Sequence, residues 1–312
     1  VSKAAGDFFF PSDLETPAAT PRLYRFLHRF GLPVRYHDIE SFSAKSNLDL
    51  VEIHLSYKDL EVELDQVLPT PQQLGLVVHA PELFAGDHTL DLCSAEHDYR
   101  NHSIRELQRV VDISRDLRRR FDCPDPVLLV TNVGGFSEHH HLEQHELKPL
   151  RQRLIDSLQQ INTAGEVEII PQTMPPFPWH FGGQRYHNLF VDTDFILEFC
   201  KETGMRVCLD VSHSKLACTH LNASFSAFLQ AILPVTAHLH LADAKGVDGE
   251  GLQIHDGEID WVQLFSLMDK LAPNASFIPE IWQGHKNNGE GAWLALERLE
   301  SCVVASPRPQ VA

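Results

Sequence analysis

The residues of this chain that could do chemistry stand at the ends of short apolar runs. In chain order they are His79, Asn132, Gln172, Asp210 with His213, His240 with Asp243, and Glu280. Imidazole and carboxylate groups together bind zinc, manganese, cobalt or iron, and a large share of oxygen ligands favours the harder ions. One such histidine alone is more often a hydrogen-bonded residue of a core or rim. Several at one place predict a shared site for a divalent metal.

The elements that would position these residues alternate along the chain. Apolar, β-branched runs predict eight strands, at residues 33–38, 48–56, 74–82, 126–135, 167–172, 206–213, 236–243 and 276–280. Helical periodicity follows most of them, at residues 94–120, 143–161, 192–203, 223–233, 260–271 and 289–299. Eight strand–helix units in about 250 residues are typical of an α/β fold of the (β/α)8 TIM-barrel type. The first strand lacks the glycine-rich turn that usually opens a doubly wound sheet.

The predicted barrel leaves short segments at both ends of the chain. We assign residues 31–304 to the barrel, residues 1–30 to a short N-terminal extension and residues 305–312 to a tail. The extension is proline-rich, and its last part, TPRLYRFLHRFG, is predicted to be helical. The extension reads like a linker from a larger protein. In a closed barrel the carboxyl ends of the strands meet at one mouth, so we expect the polar strand ends to converge there.

Composition limits the partners of the chain. The formal net charge is −17, which repels a phosphate backbone and argues against nucleic acid as a partner. No apolar run reaches the roughly 20 residues of a membrane helix, so no membrane partner is expected. Six cysteines without CxxC spacing and no secretory signal favour a cytoplasmic protein. A homo-oligomer is possible.

The loop after Gln172, TMPPFPWHFGGQRYHN, has the composition of a sugar-binding segment. Trp179 and His180 lie among aromatic residues that could stack on the apolar face of a sugar. Arg185 is our candidate for an anionic group of the substrate, and Lys245, in DAKG, is a second. The alternative is a proline-stiffened rim that packs on its neighbours.

Several motifs resemble the xylose isomerase-like barrel superfamily, which holds sugar isomerases and epimerases and the second family of abasic-site endonucleases. They are VVHAPELF, CLDVSH, IPE and, most specifically, HLHLADAKG followed by GEGLQI and GEID, and the resemblance covers roughly residues 33–300. It implies one divalent metal (Mn, Zn, Co or Fe). The ligands that it implies at strands five to eight are Gln172, Asp210, His240 and Glu280.

The resemblance is stronger to the epimerases than to the nucleases. His79 and His213 match further nuclease ligands, but Asn132 stands where the nucleases have a histidine. The later Asp-x-His pair of the nucleases has no equivalent. The three-metal site of the nucleases is therefore incomplete, and His79 and Asn132 become candidates for substrate binding.

The amide at position 172 changes the expected mechanism. Epimerases of this superfamily have two glutamates that exchange protons with carbon, and Gln172 cannot be the second base. We expect Glu280 to act on one face, with Glu250 or His255 as the other proton relay. His213 would bind substrate or support Asp210.

These features predict a divalent-metal-dependent sugar or sugar-phosphate isomerase or epimerase that transfers a proton through an enediolate of a keto-sugar or amino sugar. The alternatives are a non-catalytic carbohydrate-binding barrel with a degraded metal site and a metal-dependent sugar dehydratase or lyase. The segment GDFFFPSDLE resembles the tail of the antifreeze-like module that ends sialic acid synthases. That resemblance implies a role in the metabolism of nonulosonic (sialic) acid precursors.

Overall fold

The computed structural model describes residues 21–180 and 183–305 and contains eight parallel strands in two sheets. The strands are β1 (Gly31–Val34), β2 (Leu50–His54), β3 (Gly75–His79), β4 (Val127–Thr131), β5 (Val167–Pro171), β6 (Val207–Asp210), β7 (Thr236–Leu241) and β8 (Ser276–Pro279). Strands β1 to β5 pair in chain order in one sheet, and β6 to β8 pair in the other. Each strand falls within or overlaps a predicted one.

Two isolated bridges join the sheets into a closed barrel. Gln172, just after β5, pairs with Cys208 of β6, and Phe30, just before β1, pairs with Phe277 of β8. All the pairings between these strands are parallel, so the carboxyl ends of all eight strands lie at one end of the barrel. The predicted (β/α)8 fold is confirmed.

Helices follow the strands on the outside of the barrel. They are α1 (Ile39–Ser43), α2 (Leu64–Val67), α3 (His97–Arg118), α4 (Gln144–Leu158), α5 (Thr193–Thr203), α6 (Val211–His220), α7 (Phe225–Ile232), α8 (Trp261–Leu271) and α9 (Lys286–Ala305). Left-handed residues interrupt α9 near its start, from Asn287 to Gly289. None of the helices in the described ranges is both long and apolar enough to cross a membrane.

The loops contain short hairpins and 3-10 turns. The hairpins pair Leu83–Phe84 with His88–Thr89, Phe136–Ser137 with Tyr186–His187, Trp179–His180 with Gly183–Gln184, and Asp243–Lys245 with Gly249–Leu252. The 3-10 turns are Tyr36–Asp38, Tyr57–Glu61 and Leu233–Val235.

Two sequence predictions about local structure were wrong. Residues 206–213 were expected to form one strand, but the strand ends at Asp210 and α6 begins at Val211. Helix α6 was missed because both of its sides are covered, so its sequence lacks the amphipathic period. The segment before β1 is extended rather than helical. Its buried residues, Tyr24, His28 and Phe30, fall on even positions, which is the period of an extended chain.

The side chains inside the barrel change from apolar to ionisable along the barrel axis. The lower layer is apolar, and its members are Leu50, Val77, Val130, Ile170, Cys208, Ala237 and Ile278. Alternation along β2 places Glu52 and His54 on the same inward face as Leu50, one and two steps nearer the mouth. His238 and His240 of β7 lie beside Glu52. The upper half of the barrel is therefore filled by ionisable side chains, whereas TIM barrels usually have bulky aliphatic layers there.

Candidate active site

Four polar residues from β5 to β8 converge at the mouth of the barrel. The amide nitrogen of Gln172 lies 3.1 Å from Asp210 Oδ2 and 3.2 Å from His240 Nδ1. His240 Nδ1 also lies 2.5 Å from Glu280 Oε2 and 3.8 Å from Asp210 Oδ2. We call these four residues the mouth site. The donor types of these residues suit a divalent cation. The ligand atoms of His79, His240 and Glu280 lie within 4.8 Å of one another, as the ligands of one metal ion must.

Helix α6 holds Asp210 in place. Asp210 is the N-cap of this helix, and its Oδ1 accepts the backbone N–H of His213 at 2.8 Å. This capping bond leaves Oδ2 directed toward Gln172 and His240. His213 lies on the first turn, where its Nδ1 is 3.0 Å from the carbonyl oxygen of Thr173. The Asp-x-x-His spacing thus places a carboxylate and an imidazole side by side because it is a helix start.

The neighbours of Gln172 decide which end of its amide faces the mouth site. His79 Nδ1 lies 2.9 Å from the carbonyl oxygen of Ala80, and His79 Nε2 lies 3.1 Å from Gln172 Oε1. Burial lowers the pKa of His79, so the neutral ring has one N–H for these two acceptors. A half-turn of the amide fills the same space and removes the conflict, because the NH2 group then donates to His79 Nε2.

After that half-turn the amide oxygen faces Asp210 and His240. An amide oxygen and a carboxylate oxygen are both acceptors, so a cation or a proton must join them. A divalent metal would do so, and the amide oxygen is then a neutral ligand of the harder kind. In that orientation Gln172 would be the neutral fourth ligand that the resemblance implies.

A cavity of about 370 Å³ opens above the mouth site. Its ionisable lining residues are Arg35, His54, His79, Glu82, Asp210, His213, Glu250 and Glu280. Glu250 lies on the hairpin Asp243–Lys245 and Gly249–Leu252. The next residue, Gly251, donates its N–H to Ser212 Oγ at 3.0 Å and accepts the N–H of Trp282 at 2.8 Å. These two bonds hold Glu250 at the cavity, 3.9 Å from His213 Nε2.

The two glutamates at the cavity have opposite basicity. Burial, together with the nearby carboxylates, raises the pKa of Glu250 above that of an exposed glutamate. Burial also opposes the charge on Glu280, but the contact with His240 outweighs it and holds the pKa of Glu280 well below its usual range. Glu250 is therefore the stronger base of the two, and Glu280 is suited to hold positive charge.

A buried cluster beneath the mouth site was not found from the sequence. Glu52 is fully buried, and its two carboxylate oxygens lie 2.8 Å from His54 Nε2 and 2.8 Å from His238 Nε2. His240 Nε2 lies 3.0 Å from Glu52 Oε1. We call Glu52, His54 and His238 the inner cluster. The signal was present in LVEIH, where the alternation of strand residues puts Glu52 on the face of His54.

Two residues of the β7 loop do not face the cavity. His255 Nε2 lies 3.5 Å from Cys302 Sγ on α9, so the structure does not bring this ring to the mouth site as expected for a proton relay. Asp243, fully buried, accepts N–H groups from His255, Ile259 and the indole of Trp261 at 3.0 to 3.1 Å. Its carboxylate oxygens are therefore occupied by hydrogen bonds that stabilise the loop.

The other predicted substrate contacts lie around the rim. Asn132 donates its amide N–H to Glu82, which lines the cavity. Arg185 lies 3.5 Å from Glu138 and stands over the Phe136 ring, so its charge is partly engaged. Lys245 is exposed on the hairpin and is not among the residues that line the cavity. The backbones of Trp179 and His180 form a short strand, and their side chains lie outside the described residues.

Trp282 is a cavity residue that the sequence did not single out. It follows β8 by three positions, lines the cavity beside Glu250 and is 72% exposed. A large apolar ring open to solvent at a polar cavity is a surface on which the apolar face of a sugar could stack. The signal was its position just after the IPE strand end.

These features describe a TIM barrel whose strand ends carry a candidate metal centre. The chain belongs to the xylose isomerase-like TIM barrel family, whose model matches residues 41–302. The chain has no significant match among curated protein sequences.

Solved structures share the fold at low sequence identity. A D-tagatose 3-epimerase-like protein has a TM-score of 0.60 and 19% identity, over 88% of this chain and 99% of that one. An L-ribulose 3-epimerase has a TM-score of 0.57 and 13% identity, over 90% and 99%. Endonuclease IV from Thermus thermophilus has a TM-score of 0.57 and 16% identity, over 88% and 99%. At these identities the likeness establishes the fold.

Proposed function

We propose that this protein is a divalent-metal-dependent isomerase or epimerase of an uncharged keto-sugar or an amino sugar. The observation that carries the proposal is the mouth site, where Asp210, His240, Glu280 and the amide of Gln172 converge below a cavity of about 370 Å³. Sugar epimerases with the same fold support the reaction class. A cavity of this volume suits a small ligand such as a monosaccharide.

Different residues of the site would bind the metal, take the proton and position the base. Asp210, His240, Glu280 and Gln172 would hold the metal, which when bound polarises the carbonyl and hydroxyl oxygens of a sugar. Glu250 takes the proton from carbon, because its raised pKa makes it the better base at neutral pH. His213, 3.9 Å from Glu250 and 3.4 Å from Asp210, positions that carboxylate and can share its proton.

The basicity of the two glutamates favours isomerisation over epimerisation. An epimerase needs an acid and a base on opposite faces of one carbon, whereas an aldose–ketose isomerase returns the proton to the neighbouring carbon from the same face. Glu280 is a poor proton carrier because it is paired with His240 at 2.5 Å and has a lowered pKa. Glu250 alone can serve a one-base isomerisation through an enediolate.

The charges around the cavity favour a substrate without a phosphate group. Four carboxylates line it, those of Glu82, Asp210, Glu250 and Glu280. Arg35 is the one arginine or lysine among the described lining residues, and its guanidinium contacts the carbonyl oxygen of His54 and the Asp59 carboxylate. Neutral keto-sugars and cationic amino sugars meet less repulsion here than sugar phosphates. The segment that suggested sialic acid precursors lies outside the described residues, and that link stays a prediction.

The test combines metal analysis with proton exchange at carbon. The purified protein should hold about one equivalent of zinc, manganese, cobalt or iron, and the Asp210→Ala variant should hold none. Neutral ketohexoses and 2-amino sugars should then gain deuterium from D2O, followed by NMR, faster than their phosphate esters. A protein that binds metal but exchanges no proton with any of these sugars would contradict the proposal.

A non-catalytic carbohydrate-binding barrel is the second candidate. One observation favours it: with Gln172 oriented so that its NH2 group faces Asp210 at 3.1 Å, the amide occupies an oxygen that a metal would need. This function predicts no bound metal after soaking and a sugar affinity that Asp210→Ala leaves unchanged.

A further inference from the structure

We infer that Glu52 is a positioning residue, which directs His240 toward the mouth site and His54 toward the cavity. The inference rests on the proposed metal site. Glu52 is fully buried in the middle of β2, and its carboxylate lies within 3.1 Å of a ring nitrogen of each of His54, His238 and His240. No described lysine or arginine lies within ion-pair distance of this carboxylate.

The bond from His240 fixes which of its nitrogens faces the mouth. A carboxylate accepts hydrogen bonds and cannot donate them, so the nitrogen of His240 at Glu52, Nε2, must be the one with hydrogen. In the metal-free protein Nδ1 also carries hydrogen, because it faces the Glu280 carboxylate. Loss of that hydrogen on metal binding would leave the lone pair of the neutral ring on Nδ1. That atom faces Glu280 at 2.5 Å and Asp210 at 3.8 Å, where a metal ligand is required. A carboxylate behind a ligating histidine orients the ring and makes it a stronger donor.

The same carboxylate also lies against His54. Glu52 Oε1 lies 2.8 Å from His54 Nε2, and the other nitrogen of that ring lies 3.9 Å from Glu280. The His54 ring is stacked on His79 at 4.7 Å between centroids. Glu52 therefore hydrogen-bonds one ring of the mouth site and lies against one ring that lines the cavity. The third ring at this carboxylate is His238. Its other nitrogen, Nδ1, lies 2.7 Å from Ser276 Oγ.

Packing alone gives no reason for a glutamate at this position. The layer directly below, which includes Leu50 and Val77, is apolar. Burying a carboxylate without partners costs several kcal/mol, whereas an aliphatic residue would continue that layer at no such cost. The buried charge is sustained by the three imidazoles, and the orientation of His240 is what it provides.

The test uses the intact protein and measures metal binding and ring protonation without any sugar. Glu52→Gln replaces one acceptor oxygen by an NH2 donor. When that NH2 group faces His240 Nε2, it favours the tautomer with hydrogen on Nδ1, the atom that should bind the metal. We expect Mn²⁺ affinity, measured by isothermal titration calorimetry, to fall by about 10- to 100-fold. Glu168→Gln is the matched control, because Glu168 is also a strand glutamate but pairs with Arg206 outside the site. We expect it to change Mn²⁺ affinity less than twofold.

Two further measurements keep the test decisive. Glu52→Asp keeps the charge on a shorter arm and should recover part of the affinity lost in Glu52→Gln. Long-range ¹H–¹⁵N NMR of wild-type protein should find hydrogen on His240 Nε2, both metal-free and with zinc, which needs no variant to fold. Hydrogen absent from Nε2, or a folded Glu52→Gln protein with wild-type affinity, would overturn the inference. A wild-type protein that binds no metal would instead overturn the proposed function, and the metal-free spectrum would still test Glu52.

Discussion

The mouth site and the inner cluster are both polar and meet at His240, which belongs to the first and contacts the second. They differ in their position along the strands and in their exposure to the cavity. The mouth site comes from the ends of β5 to β8 and meets a cavity of about 370 Å³. In the inner cluster, Glu52 and His238 lie inside β2 and β7 and are fully buried, whereas His54 ends β2 and lines the cavity. Strand ends place reactive groups where a ligand can reach them, whereas a polar group inside the strands must be satisfied by the protein itself.

The comparison predicts that the shared residue has the largest effect. His240→Ala removes a ligand of the mouth site and a partner of Glu52 together. We expect metal affinity to fall by more than 100-fold and the free energy of unfolding to fall by about 3–5 kcal/mol, because a buried carboxylate loses a partner. Calorimetry and urea unfolding measure the two effects. His255→Ala is the control, because His255 lies against Cys302 and should leave metal affinity unchanged.

A second prediction separates catalysis from metal binding at the cavity. Glu250→Gln removes the proposed base without touching the mouth site, so we expect proton exchange to slow by about 10²–10⁴-fold while metal affinity stays within twofold. Deuterium incorporation by NMR and calorimetry give the two readouts. Equal exchange rates in Glu250→Gln and wild type would assign the base elsewhere.

The raised pKa of Glu250 gives a pH dependence with a definite sign. The base acts when it is deprotonated, so activity should rise as pH increases through the pKa of Glu250, and that rise should lie above the ordinary glutamate range. The rate of deuterium exchange at saturating sugar, measured from pH 4 to pH 8, checks this. A rise centred at the value of an exposed glutamate, about 4.3, would contradict it.

Gln172→Glu should increase the metal affinity of the mouth site and leave the inner cluster unchanged. A carboxylate in place of the amide adds a charged ligand beside Asp210 and His240, so Mn²⁺ affinity should rise by about tenfold, or about 1.4 kcal/mol. Calorimetry measures the change. Unchanged affinity would mean that the side chain at this position does not face the metal.

The smallest expected effect lies at the rim. Trp282→Ala removes an exposed ring beside the cavity, and loss of sugar stacking of about 0.5–1.5 kcal/mol corresponds to a KM raised by about two- to tenfold. We expect kcat to change little, since the ring touches no reacting group. Lys245→Ala provides the comparison, and Lys245 binds substrate if its KM rises as much as that of Trp282→Ala.

The sequence predicted the mouth site better than its surroundings. Gln172, Asp210, His240 and Glu280 stand at strand ends, and strand ends can be read from runs of apolar residues that stop abruptly. Glu52 was missed because it lies within a strand. A charged residue there is not assigned a role from sequence until the side chains that surround it are known. Those partners, His238 and His240, lie almost two hundred residues away along the chain.

The sequence alone determined the number and order of the strands, because local apolar runs and their breaks record them. It also predicted, through motifs that resemble a known superfamily, that the polar ends of strands five to eight form the site, and the structure brings these strand ends together. The tertiary structure decided where the side chains point. It showed that Asp210 begins a helix, that Asp243 and His255 serve the β7 loop, and that Glu52 stands behind His240. These facts depend on contacts between residues distant in sequence, which a one-dimensional pattern does not contain.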